Sequence, residues 1–299
     1  MPNQFTKGMF VGLAAYAFYA FSDALIKSTG GLASVFEIAF FITLFSAIPI
    51  ILGKPKEEKW RDALVVKNKV KVHVRAISGL CGGLCAIYAF THLELAEAYA
   101  LIFLIPAFTT VISTFVLGEG VRWKRWAAVT LGFIGVLIVL RPGFEVVKLA
   151  HLGGLGCAFF GAISITTMRS ISGSEKRITI LSVVFIYALT FNGLAMLTTF
   201  ERPGQELLLL LFLGGIFSGL GHLSMIHAIS MIPANNIAPT QYSQMIWAIV
   251  LGVIFFSEVP DIYTLAGLFT IGLSGILIFH REEERLGERK RITLFRNRI

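Results

Sequence analysis

Gly132-Phe133-Ile134-Gly135-Val136-Leu137-Ile138 and Gly272-Leu273-Ser274-Gly275-Ile276-Leu277-Ile278 are near copies of one another, 140 residues apart. Upstream of them, Leu117-Gly118-Glu119 matches Phe256-Ser257-Glu258. Gly12-Leu13, Phe18, Ala20, Lys27-Ser28 and Gly31 match Gly154-Leu155, Phe160, Ala162, Arg169-Ser170 and Gly173 in the same order. The offset stays between 139 and 142 residues throughout. A shared order and a nearly constant offset mark an internal duplication.

Each copy sits among apolar runs of about 20 residues, the length a helix needs to cross a hydrocarbon core ~30 Å thick. Of the 299 residues, 56% are hydrophobic and only 15% charged. Mean hydropathy is +0.77. A soluble domain carries about a quarter charged residues to keep its surface wet. The runs are continuous, without the alternation of a membrane barrel, so helices are expected. The sequence predicts ten spans: 8–28, 32–53, 73–92, 96–117, 123–141, 149–171, 178–199, 206–230, 235–256 and 260–280. The first is read as a retained span, because it is longer than the apolar core of a signal peptide and contains Tyr16, Tyr19 and Asp23.

Five spans per repeat is an odd number, so the second half must enter the membrane from the opposite side. The expected fold is an all-α membrane protein of ten transmembrane helices, arranged as two inverted five-helix repeats. Its parts are residues 1–146, residues 147–280 and a basic tail, 281–299. Inverted repeats are a transporter architecture, since two similar bundles around a midplane site can interchange inward- and outward-open states.

The formal charge of +8 does not imply nucleic acid, because it flanks the apolar spans. Of the 26 lysines and arginines, all but Lys27, Arg141, Lys148 and Arg202 fall on the side that holds the N-terminus. The positive-inside rule therefore places both termini in the cytoplasm of a cell whose cytoplasmic (inner) membrane carries the protein. Cys81, Cys85 and Cys157 lie inside spans and read as small packing residues, with no disulfide framework and no metal spacing. No phosphate loop, catalytic triad or cofactor motif is evident, so neither an enzyme nor a cofactor is expected. The implied partners are a small-molecule substrate and the bilayer, with a monomer as the working expectation.

The spans end in Leu117-Gly118-Glu119, Phe256-Ser257-Glu258 and the paired Gly-x-x-Gly stretches. With these, the sequence resembles the drug/metabolite transporter superfamily, EamA type, over residues 8–280. Within it the chain looks most like bacterial exporters of aromatic and other neutral amino acids. That resemblance implies export by alternating access. Many relatives carry an arginine in span 2, and Glu37 to Ile50 contains no basic residue here.

Polar groups inside the spans are the candidate site. Asp23 and Lys27, four residues apart in span 1, can pair on one helix face. They read either as a structural ion pair near the outer surface or as a coupling or gating site. Glu37 reads as an interfacial carboxylate. His222, between Gly219 and Gly221 on one side and Ser224 on the other, is either hydrogen-bonded packing or a group aimed into a concave surface. Gln244 and Trp247 form a strip with Thr240 behind Pro239, either for helix contact or for a broken-helix substrate site. Tyr19, Tyr88, Tyr99 and Ser164 complete the expected substrate-binding set. Gly79-x-x-x-Gly83 and Gly215-x-x-x-Gly219 read as close helix-packing motifs. A polar, aromatic, nearly uncharged cavity suits a small neutral or aromatic amino acid. With Asp23 and Glu37 both towards the outer surface, and Asp23 held ionised by Lys27, a facilitator is expected; the alternative is a proton-coupled exporter of other small metabolites or drugs.

Overall fold

The computed structural model describes residues 2–55, 57–117, 123–141, 146–171, 173–232 and 237–277. Gly118-Glu119, Arg122, the start of the second repeat's boundary at 142–145, Ile278 and the basic tail 281–299 lie outside the described residues. The described residues form helices: α1 (Pro2–Ser28), α2 (Val35–Leu52), α3 (Lys69–His92), α4 (Leu95–Ile102), α5 (Ile105–Leu117), α6 (Trp123–Leu140), α7 (Leu149–Ile171), α8 (Arg177–Met196), α9 (Gln205–Met231), α10 (Ser243–Phe256) and α11 (Ile262–Leu277). Short 3₁₀ turns occupy Trp60–Asp62 and Ala238–Tyr242.

Eight helical segments among the described residues are long and apolar enough to cross a membrane. Leu95–Phe115, made of α4 and α5, counts as one of them. The apolar stretches Trp126–Leu140 and Ile262–Leu277, where the fifth and tenth spans were expected, are shorter. At 1.5 Å per residue they reach roughly 23 Å, less than a full hydrocarbon core. The expected span 4 is interrupted at Phe103 and Leu104, where α5 restarts with Pro106 in its first turn. Proline there lacks the N–H that would have continued the ladder. Among the described residues between α2 and α3 there is the single 3₁₀ turn Trp60–Asp62, and α3 begins earlier than expected, at Lys69.

The two halves interleave. Helix α1 packs along α9, α2 along α9 and α8, and α3 along α7 and α8. The α2–α9 seam is closed by glycine: a Cβ on Gly215 would lie 2.5 Å from the Phe45 Cβ, and one on Gly219 2.5 Å from the Ser46 carbonyl. Ser22 Oγ crosses from α1 to donate to Gly214 O at 2.9 Å. Such small-residue seams let backbones approach where lipid offers no hydrophobic drive. The first Gly-x-x-Gly ending serves the seam of α6 with α11, while Gly272 faces Met245 and Gly275 faces Tyr242 at the start of α10. Gly135 faces Ile271 and the Gly267 carbonyl, Gly132 faces Ser274, and Ser274 Oγ donates to Ala128 O at 2.6 Å.

Each end of the bundle is tied by charge. At one end Lys27 Nζ meets Glu258 Oε1 at 2.7 Å, Glu97 meets His151 at 2.6 Å, and Arg141 meets Asp261 at 2.7 Å. At the other, the 53–68 connection docks onto the α7–α8 junction. Glu175 accepts from the backbone N–H groups of Lys67 and Asn68, capping the start of α3. Asp62 pairs with Lys176 at 2.7 Å and accepts through its carbonyl from Thr179 at 2.7 Å.

Candidate functional site

Between α1, α2, α3, α8 and α9 lies a cavity of about 290 Å³. Asp23 and Ile26 of α1 reach it, as do Thr43 and Ser46 of α2 and Ser218 and His222 of α9. Asn192 and Phe185 of α8 close it from the other side, and α3 contributes a face running from Gly79 to Phe90. A larger hollow, about 380 Å³, lies between α2, α8 and Trp60, but its wall is aliphatic and aromatic with Lys54, Glu58 and Arg177 at one edge. A solute site needs converging polar groups to fix orientation, and the first cavity has them.

Asp23 does not pair with Lys27. Lys27 turns to Glu258, donates to Leu93 O at 2.5 Å and lies 5.3 Å from the Phe256 ring centre. Asp23 instead accepts a hydrogen bond from the Tyr99 hydroxyl, which in turn lies 3.5 Å from Gln244 Nε2. The four-residue spacing permitted the intrahelical pair, but Glu258, brought over by the end of α10, is a carboxylate that Lys27 reaches without giving up its interfacial position. Asp23 is left as the only acidic side chain on the cavity wall among the described residues. The cavity is therefore not nearly uncharged.

His222 also lines the cavity, with its Nδ1 2.9 Å from Ser218 O one turn back. A carbonyl only accepts, so in the neutral ring Nδ1 carries the proton and Nε2 is left as an acceptor. The Tyr19 ring meets His222 edge-to-face at 5.2 Å and rests on Gly221. The notch expected beside Gly219 and Gly221 is thus filled, by α2 on one side and Tyr19 on the other.

The remaining expected residues lie off the lining. Trp247 packs on Phe21 at 5.7 Å. Tyr88 stacks on His92 at 4.3 Å and covers Gly153 of α7. Ser164 accepts from Arg75. Thr240 turns back onto Ile237 O at 2.6 Å. Gly79 and Gly83 line the cavity and leave helix contact to Gly82, because the helical turn points Gly82 at α7. Glu37 is buried, 2% exposed, with one carboxylate oxygen unpartnered, where an interfacial carboxylate was expected. Ser34 caps the first turn of α2 by accepting the Glu37 backbone N–H.

Two groups on or beside the cavity escaped the reading of the sequence. Asn192 is 2% exposed and lines the cavity, and its Oδ1 has no hydrogen-bond partner. A single carboxamide towards the end of an apolar run was the available signal. Arg75 stands just beyond the lysine-rich stretch that ends at Lys71, inside the expected span 3, and it was counted only as one more cytoplasmic charge.

Comparison with known proteins follows the same outline. The model of the EamA-like transporter family matches the chain twice, at residues 6–141 and 148–280. An S-adenosylmethionine uptake transporter of Rickettsia felis is 26% identical over 284 residues, covering 90% of each chain. A pseudopaline exporter of Pseudomonas aeruginosa is 28% identical over 267 residues, 85% of this chain and 90% of that one. A riboflavin transporter of Vibrio cholerae is 28% identical over 190 residues, 63% of this chain and 64% of the other. A crystal structure with 16% sequence identity aligns at a TM-score of 0.60 over 91% of this chain and 96% of that one, a likeness of fold.

Proposed function

This chain belongs to the EamA-like transporter family, and from that premise we propose that it carries a small amino-bearing metabolite across the cytoplasmic membrane by opening the Asp23 cavity to each side in turn. Family membership makes it a membrane transporter and not an enzyme. The observation that carries the substrate class is Asp23, a carboxylate on the cavity wall with a phenol as its partner and no cation beside it. A carboxylate within a span is costly and is kept where a ligand, proton or ion needs it. An ammonium group supplies the missing counter-charge. Neutral and aromatic amino acids, moved outward, remain one class of such solutes, with His222 on the cavity wall, Tyr19 packed on it, and Tyr99 with Gln244 behind Asp23.

Two matches of one family model in tandem support the duplication. With five spans in each half, the halves are inverted, residues 1–146 against 147–280, and both termini are cytoplasmic. The facilitator expectation rested on Asp23 and Glu37 lying towards the outer surface and, in addition, on Lys27 holding Asp23 ionised; the Lys27–Glu258 pair removes the second ground. Without Lys27 as its partner, Asp23 is free to exchange a substrate amine for a proton, and proton-coupled exchange takes the facilitator's place.

A second reading is uptake of a cationic solute such as S-adenosylmethionine. It is favoured by relatives aligned over nine-tenths of the chain that carry that name, and by the same acidic wall.

The test is purified protein in liposomes with radiolabelled phenylalanine, phenylethylamine, S-adenosylmethionine and an uncharged analogue. Amine- or cation-bearing solutes should move in an Asp23-dependent way. Equal movement of all four by the parent and Asp23→Asn would refute the reading.

A further inference from the structure

Arg75 lies in the second turn of α3, where a helical arginine ordinarily leans toward the helix N-terminus and the nearby headgroups. Its guanidinium is turned the other way. Nη1 lies 3.1 Å from the point where a Cβ on Gly79 would sit, one turn deeper along the span. There it donates to Ser164 Oγ on α7. Ser164 is itself 6% exposed. Nε is buried with no partner, and no described carboxylate pairs with the group. An arginine stays protonated in a protein. A hydroxyl does not neutralise it, and a part-buried cation without a counter-charge is costly. The absence of a side chain at Gly79 is what gives the guanidinium room at this depth, and Gly79 is part of the cavity wall.

Gly79 marks one limit of the α3 face of the cavity and Phe90 the other, about 16 Å apart along the helix. Asp23 belongs to the far limit: Lys27, one turn beyond it, already reaches Leu93 O past the end of α3. The two charges thus stand on the order of 10 Å apart along the bundle. An α-amino acid holds its ammonium and carboxylate on one carbon and cannot meet both.

We propose that Arg75 is the anion subsite of the transport cavity, seating the carboxylate of an elongated solute whose amino end meets Asp23. The proposal rests on the amine-carrying role given to Asp23. A carboxylate fits better than a phosphate because one guanidinium balances one negative charge; Arg75 reaches the cavity from behind Gly79, and among the described residues the wall itself holds no lysine or arginine to balance a second. Nη1 is committed to Ser164 and Nε is buried without a partner, so a substrate carboxylate would supply the counter-charge that this guanidinium lacks, through charge-assisted hydrogen bonds.

The experiment is titration calorimetry on the purified full chain with ω-aminooctanoate and with its carboxamide, which keeps length and amine but removes the negative charge. The parent should prefer the carboxylate by about tenfold to a hundredfold, the range of charge-assisted hydrogen bonds. In Arg75→Gln the ratio should fall to about one, while Arg75→Lys, which keeps a point charge and loses the guanidinium, should retain part of it. Ser164→Ala leaves the cation in place and should lower the ratio by a smaller factor, which keeps the proposal testable if Arg75→Gln fails to fold. A parent with no preference, a parent that binds neither compound, or a preference unchanged in both Arg75→Gln and Ser164→Ala overturns it. Failure of the underlying transport reading shows separately, as liposome transport that does not depend on Asp23.

Discussion

Lys27 and Glu258 meet at 2.7 Å, and the other Glu258 oxygen accepts the Leu95 N–H at 2.9 Å, so one carboxylate ties the end of α1 to the first turn of α4 from the turn after α10. Ser257, at φ 55, makes the left-handed turn that delivers it. Both side chains are less than one-fifth exposed. Removing one partner leaves the other part-buried and unpaired, so Lys27→Ala should cost about 2 kcal/mol. Thermal unfolding in detergent should show the loss, and Lys27→Arg should recover most of it.

Glycines that look alike in the sequence should respond oppositely. A Cβ at Gly215 meets Phe45 at 2.5 Å and the Ile42 carbonyl at 3.0 Å, so Gly215→Ala should destabilise by about 1–3 kcal/mol. At Gly83 nothing lies within 4 Å and the space is the cavity. Gly83→Ala should therefore unfold at the parental temperature, while Gly83→Leu slows transport by filling the site. Melting curves paired with liposome uptake separate the two effects.

Asn192→Leu should separate binding from stability. The buried Oδ1 has no partner, and an unsatisfied buried polar atom costs about 1–3 kcal/mol. The substitution should leave the melting temperature equal or higher and raise the substrate concentration needed for half-maximal transport. A lower melting temperature with unchanged transport would make Asn192 a packing residue.

Acid should loosen the Asp261 contact. The Thr264 N–H at 2.8 Å, and after it Arg141 at 2.7 Å, hold the Asp261 carboxyl below the usual carboxylate range. A carboxylate with a lowered value stabilises the fold above its unfolded value, and that contribution disappears as pH falls through its folded one. Asp261→Asn should thus melt below the parent at neutral pH. The gap should close on acidification below the ordinary aspartate value. A gap independent of pH would mean that Asp261 acts through shape alone.

The chain shows unevenly how much of such a molecule its sequence displays. The helices were legible because an apolar run has to be about 20 residues long to cross a bilayer, and Gly132, Gly135, Gly215 and Gly219 were legible because backbones approach only over small residues. Partner choice was not. Asp23 and Lys27 stand at the right spacing to pair, yet Glu258, 231 residues beyond Lys27, takes the lysine. Local spacing says which contacts a helix permits, and tertiary packing chooses among them. Arg75 was hidden among surface lysines for the same reason, since its depth is set by where α3 begins. Tyr88 and Trp247 misled because an aromatic ring on a membrane helix has three places to go, and only one is a cavity.

Asp23 carries the account, so the most direct measurement is reconstituted transport with equal labelled substrate on both sides of the liposome membrane and an imposed pH step. A carboxylate that trades a substrate amine for a proton should let the step alone drive net accumulation on the more acidic side, and Asp23→Asn should abolish that accumulation while still binding substrate weakly. Accumulation in Asp23→Asn at the parental rate, or a parent that equilibrates substrate without regard to the pH step, would contradict it.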